Sequence, residues 1–195
     1  LVSGEIDMSM AFIGPSVVQA DVDSSIVMLA GIHPGCQVLF GSSRVHAVRD
    51  LKGKTVAVPG GIGSPSQLFV ASMAALVGVN AQRDINWVVF SSGEAQEHLA
   101  DGRIDAFMTG PPMSYEIRAK RIGHVVVDMT VDRPWSTYFC CVLTGHREFV
   151  HKHPVATKRA MRAILKGAHI CVSSPEPAVR LLASRRAGDP PRAAI

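Results

Sequence analysis

Thr55-Val56-Ala57-Val58-Pro59-Gly60-Gly61-Ile62-Gly63-Ser64-Pro65-Ser66-Gln67 is the most informative stretch of the 195-residue chain. A β-branched apolar run ends at a proline, three glycines permit tight turns, and Ser64 followed by Pro65 marks the start of a helix. The pattern predicts a strand over 55–58 and a helix over 65–77 that stops at Gly78, a natural C-terminal cap. A strand feeding a capped helix through glycines gathers unpaired backbone N–H groups and a positive dipole end at one point. Such a point accepts carboxylate, sulfonate or phosphate oxygens without a charged side chain. An ordinary strand-to-helix turn fits these residues equally well. It is not a P-loop, since Gly-x-x-x-x-Gly-Lys-Ser/Thr is absent, and Ser64 sits in no Gly-x-Ser-x-Gly elbow.

Working outward, short apolar runs alternate with helical stretches. Strands are expected over 7–12, 25–30, 37–41, 87–90, 105–109, 124–128 and 138–144. Helices are expected from Gly14-Pro15-Ser16, over 94–100, from Gly110-Pro111-Pro112 through Lys120, and over 154–173 and 175–184. This is the order of an α/β fold with a largely parallel sheet. The stretch 185–195 shows no helical period and reads as a disordered tail.

Composition narrows the function. With 47% hydrophobic residues the chain has ample material for a core, and no run of about 18 apolar residues could span a membrane. Charge is uneven: residues 1–146 hold 10 Lys+Arg against 13 Asp+Glu, whereas 147–195 hold 10 against 3. Only one aromatic, Phe149, lies in the basic quarter, so stacking on nucleic-acid bases has no platform there. Lys158, Arg162 and Lys166 line one face of the long C-terminal helix, which reads as a solvated face or a partner surface.

Catalytic constellations are thin. His146, Glu148, His151 and His153 miss the His-Glu-x-x-His spacing of zinc proteases, so no metal or other cofactor is expected. Cys36, Cys140, Cys141 and Cys171 contain no Cys-x-x-Cys pair and read as small core residues. Adjacent Cys140 and Cys141 point to opposite faces of a strand, and a bridge from Cys36 to one of them stays open. Thr109-Gly110-Pro111-Pro112 repeats the strand-to-helix logic of the opening stretch. Trp135 and Tyr138 have the character of cleft walls or core.

Taken together, four elements resemble the type 2 periplasmic binding proteins. They are Leu1-Val2-Ser3-Gly4-Glu5-Ile6-Asp7 with the strand and helix after it, Leu51-Lys52-Gly53-Lys54-Thr55-Val56-Ala57-Val58, Gly102-Arg103-Ile104-Asp105-Ala106, and His153-Pro154-Val155. Within that superfamily the chain is similar to the nitrate, sulfonate, taurine and thiamine-pyrimidine-precursor group of ABC-transporter substrate-binding proteins. The resemblance implies a periplasmic or otherwise extracytoplasmic protein, although no signal peptide is visible. It implies a two-lobed α/β fold, with lobe I at 1–45 and 136–184 and lobe II at 46–135. A small, anionic ligand would lie between Phe12, Gly14 and Ser16 on one side and Gly61, Ser64, Ser66, Thr109 and Gly110 on the other, with Tyr138 in reach. The partners implied are that ligand and an ABC permease.

The family's first strand, helix and strand have no counterpart here, so lobe I reads as incomplete, and its bare edge leads us to expect a homodimer or domain swap. Two other functions compete: an enzyme of the pyrimidine-precursor type, drawing on His33, His46 or His98, and a non-transport sensor or interaction domain working through the basic helix face.

Overall fold

From the N-terminus the chain forms β1 (Met8–Phe12), α1 (Ile13–Val22), β2 (Ile26–Pro34), β3 (Val38–Gly41), β4 (Thr55–Ala57), α2 (Pro65–Leu76), β5 (Asn86–Val88), α3 (Ser92–Ala100), β6 (Ala106–Thr109), α4 (Met113–Lys120), β7 (His124–Asp128) and β8 (Phe139–His146). The structure is a computed structural model that describes residues 1–188. The chain divides into two units, 1–147 and the stretch from 148 onward.

The first unit holds two sheets. One has the order β1-β8-β2 and is antiparallel throughout, with Phe12 opposite Cys141 and Ile26 opposite His146. The other has the order β5-β4-β6-β3-β7, in which β4 pairs parallel with β5 and β6, while β3 runs antiparallel to β6 and β7. The expectation of a largely parallel sheet is therefore corrected. Helices join β1 to β2, β4 to β5, β5 to β6 and β6 to β7, and each such pair runs in one direction. β8 and β3, which follow the crossings between the sheets, are inserted antiparallel between β1 and β2 and between β6 and β7. No helix separates β2 from β3; three residues, Gly35-Cys36-Gln37, carry the chain from one sheet to the other. A second crossing, between β7 and β8, brings it back.

Local signals explain most elements. Ser64 caps α2 by accepting the Gln67 amide, Pro65 opens the helix, and Gly78 takes a positive φ of 78° just after it. Ser91 and Glu94 form a reciprocal capping box on α3. Leu39, Phe40, Val56, Phe107 and Met108 are buried at the centre of the second sheet. Each such side chain contributes about 1.5–3 kcal/mol by leaving water.

Asp105 shows what the Gly-Arg-Ile-Asp element does at the head of a strand. Its carboxylate accepts the Thr55 amide at 2.9 Å and the Arg44 guanidinium, tying β4 and the loop after β3 to the head of β6. Burial pushes this carboxyl up, but the Thr55 amide and Arg44 outweigh it and hold it below the usual range. A carboxyl lowered on folding stabilises fully above its unfolded value of about 3.9, and that contribution fades as pH falls through the folded value. Asp105→Asn should cost about 2 kcal/mol at neutral pH, since Arg44 is half exposed and partly screened. In urea unfolding the difference should shrink below about pH 3; an equal loss at both pH values would rule out the charge as its source.

α5 (Arg147–Lys152) begins at the last residue of the first unit, and the second unit contains the rest of it with α6 (Pro154–Ser173) and α7 (Pro175–Gly188). Lys158, Arg162 and Lys166 are exposed on α6. α7 extends four residues past the expected end at Ser184, because Arg185, Arg186 and Ala187 are competent helix formers and no proline intervenes. The remainder of the expected tail, 189–195, lies outside the described residues. Among the described residues no helix is long and apolar enough to cross a membrane.

Candidate functional site

The Gly60–Gln67 loop folds as its sequence demands. Gly60, Gly61 and Gly63 all hold φ between 83° and 89°, a region that favours glycine. The Gly61 amide donates to the Val58 carbonyl, the Ser64 amide to the Gly61 carbonyl and the Gly63 amide to the Gln67 side chain. Those of Gly60, Ile62 and Ser66 find no acceptor among the described residues. No acidic side chain occupies the first turn of α2. Ser64 and Ser66 are buried, and their hydroxyls are engaged: Ser64 caps the helix, and Ser66 reaches Ser64 at 3.1 Å and the Pro59 carbonyl at 3.2 Å. They shape the loop. What it offers a ligand is its backbone.

α1 begins directly at the end of β1, with Phe12 in the cap position and no side-chain cap. Its first turn presses on α2. A Cβ at Gly14 would lie 3.3 Å from Leu68, and the Phe12 and Phe69 rings meet edge-on with centroids 6.4 Å apart. Beside this contact lies a cavity of about 350 Å³. Ile13, Gly14 and Val17 form its α1 side, Leu68, Phe69 and Ser72 its α2 side, and Met129, Trp135, Tyr138 and Phe139 the second crossing and the start of β8. No charged side chain lines it.

The expected site residues thus fall into separate places. Gly14 and Tyr138 line the cavity, and Phe12 packs behind it. Ser16 faces a different hollow, beside Leu1, Ser9 and Thr144, and its hydroxyl donates to the Phe12 carbonyl at 2.8 Å. Gly61, Ser64, Ser66, Thr109 and Gly110 do not line the cavity. Thr109 ends β6, and Gly110 abuts the first crossing, where a Cβ would fall 2.7 Å from the Cys36 carbonyl. Sequence reading missed Leu68, Phe69, Met129 and Phe139. Apolar residues on a helix or a crossing carry no motif, and only their convergence marks them.

The two crossings are tightly joined. Met129 donates its amide to the Gln37 carbonyl at 3.0 Å, and Cys36 is disulfide-bonded to Cys140. Cys141 is buried and free; Cys171 is exposed and free, which corrects its reading as a core residue. His33, Cys36 and Cys141 bring a nitrogen and two sulfurs within 4.8 Å of one another, but the bridge withdraws the Cys36 sulfur from metal binding. The histidines considered for catalysis have other neighbours. His46 stacks on His124, His98 meets the edge of Phe90, and His33 lies 3.3 Å from the Pro34 carbonyl.

Comparison with solved structures places this geometry in a known fold. The alkanesulfonate-binding protein SsuA from Xanthomonas axonopodis pv. citri, bound to MOPS, superposes with a TM-score of 0.71 at 20% identity, over 98% of this chain and 65% of that one. The periplasmic aliphatic sulphonate binding protein SsuA from Escherichia coli gives 0.76 at 19% identity, over 97% and 60%. The periplasmic nitrate-binding protein NrtA from Synechocystis PCC 6803 gives 0.58 at 16%, over 87% and 48%. The fold is therefore that of the periplasmic binding proteins, and the chain spans between 48% and 65% of the length of these three. No curated protein matches it in sequence. The sequence model of the NMT1-like family matches residues 1–184, taking in both sheets and the helices as far as Ser184, and the chain belongs to that family.

Proposed function

We propose that the chain is the solute-binding part of an ABC importer. It captures a small organic molecule with an anionic end between two lobes built on the two sheets and delivers it to a membrane permease. The observation that carries this reading is the 350 Å³ cavity at the meeting of α1, α2 and the second crossing. Its wall is apolar and aromatic, which suits the carbon body of a ligand. The amides left without acceptors at the head of α2 suit its oxygens, with Gly61, Ser64, Ser66, Thr109 and Gly110 framing that end and Phe12 and Gly14 the other, while Ser16, turned to another hollow, takes no part. Binding without turnover is supported by the histidines lying against partners other than Ser64. The periplasmic proteins that share the fold support an extracytoplasmic location.

The wall also ranks ligands. Nitrate and bicarbonate have no carbon body to set against Trp135 and Leu68, whereas alkyl or aryl sulfonates do. Thermal unfolding of the full chain against nitrate, bicarbonate, taurine, alkanesulfonates and a pyrimidine precursor tests this. A ligand at tenfold excess over its Kd stabilises the native state by about 1.4 kcal/mol. We expect the shift with the longer sulfonates and none with nitrate. A shift with nitrate alone would overturn the ligand class, and none with any member would overturn the function. Charge reversal at Lys158, Arg162 and Lys166 should leave the shift intact, which separates this reading from an interaction domain using the α6 face.

A further inference from the structure

Cys36 lies in the three-residue crossing between β2 and β3, and its bonding partner Cys140 is the second residue of β8. The next residue along β8, Cys141, is a free thiol only 8% exposed. Its sulfur, the Cys36 sulfur and a ring nitrogen of His33 all lie within 4.8 Å of one another. A thiol, a proton acceptor and a disulfide sulfur are therefore neighbours, the arrangement that thiol–disulfide exchange requires.

We propose that Cys36 is shared between two partners, with Cys141 exchanging for Cys140. The Cys141 thiol gives its proton to His33 and attacks the Cys36 sulfur. The Cys36–Cys141 bond forms as the Cys36–Cys140 bond breaks, and Cys140 leaves as a thiolate that takes up the proton from His33. One disulfide and one thiol stand on each side, so no oxidant or reductant is consumed. The cross-link moves one residue along β8, about 3.4 Å. Phe139, immediately before Cys140, walls the cavity and lies so close over Gly31 that a Cβ there would overlap its ring. The exchange acts as a two-position latch on the aromatic wall of the cavity. Burial raises the Cys141 thiol, which keeps the exchange slow at neutral pH.

Peptide mapping of the oxidised full chain tests this, with backbone fragmentation to separate the adjacent cysteines. After incubation at mildly alkaline pH and acid quenching, we expect Cys36–Cys140 and Cys36–Cys141 both to be present. C140S, oxidised with glutathione disulfide, should retain one free thiol, that of Cys171. C141S should carry Cys36–Cys140 alone and shows that Cys36 remains oxidisable. A native chain holding only Cys36–Cys140 overturns the proposal, and so does a folded C140S with three free thiols. Where C140S fails to fold, the map of the native chain decides.

Discussion

Replacing Cys36 with serine is expected to lower the free energy of unfolding by about 4 kcal/mol. The bridge it removes joins residues 104 apart in sequence, a loop that takes in the whole second sheet. Closing a loop of about 100 residues removes conformational freedom from the unfolded chain worth about 4.7 kcal/mol in the chain-entropy account, and measured values commonly reach 2–4. Cys36 itself is only half buried, so the serine hydroxyl meets no severe desolvation and little of the loss arises locally. Urea unfolding should also show a steeper denaturant dependence in Cys36→Ser, because the unlinked chain exposes more surface when it unfolds. Adding a reductant to the native chain should reproduce the variant, and adding it to the variant should change nothing. A loss below about 1 kcal/mol, unaffected by reductant, would mean the bridge does not form in solution. Through the proposed exchange, C140S keeps most of what Cys36→Ser loses.

The elements that sequence reading placed well are those whose signals are local. Ser64-Pro65 and Gly78 bracket α2 because a cap, a first-position proline and a left-handed stop are properties of single residues. The Gly60–Gln67 loop was legible for the same reason. Strand direction was not. An apolar run such as Val38–Gly41 looks alike whichever way its neighbours run, and only the lack of a helix between Pro34 and Val38 hinted at a crossing. The site divides in the same way. Glycines and hydroxyls at helix starts stand out in a sequence, so Gly14, Ser64 and Gly110 were noticed. Tyr138 was noticed too, as one of two large aromatics in a short polar stretch. Leu68, Phe69, Met129 and Phe139 wall the cavity through long-range packing that no local pattern encodes. Ser16 and Ser66 drew attention for hydroxyls that the fold spends on the Phe12 and Pro59 carbonyls.

The same long-range packing makes Gly35→Ala the most informative change at the crossings. Gly35 holds a φ of 46°, and a Cβ there would lie 2.2 Å from the Met129 carbonyl oxygen and 2.7 Å from the Thr130 Cα. Both obstacles are backbone, so no rotamer change can relieve the overlap. The crossings would have to separate, pulling at the Met129-to-Gln37 hydrogen bond and the Cys36–Cys140 bridge. The left-handed φ costs an alanine about 1 kcal/mol, and forcing apart a packed contact adds about 2, giving about 3 kcal/mol in all. Gly53→Ala supplies the control. Its φ of 74° carries the same backbone penalty, yet nothing lies within 4 Å of the added Cβ, so it should lose only about 1 kcal/mol. Equal losses in urea unfolding would show that the crossings are not pressed together at Gly35. Met129 walls the cavity, so Gly35→Ala should also abolish the sulfonate-induced thermal shift, whereas Gly53→Ala, far from that wall in sequence and facing open space, should leave it in place.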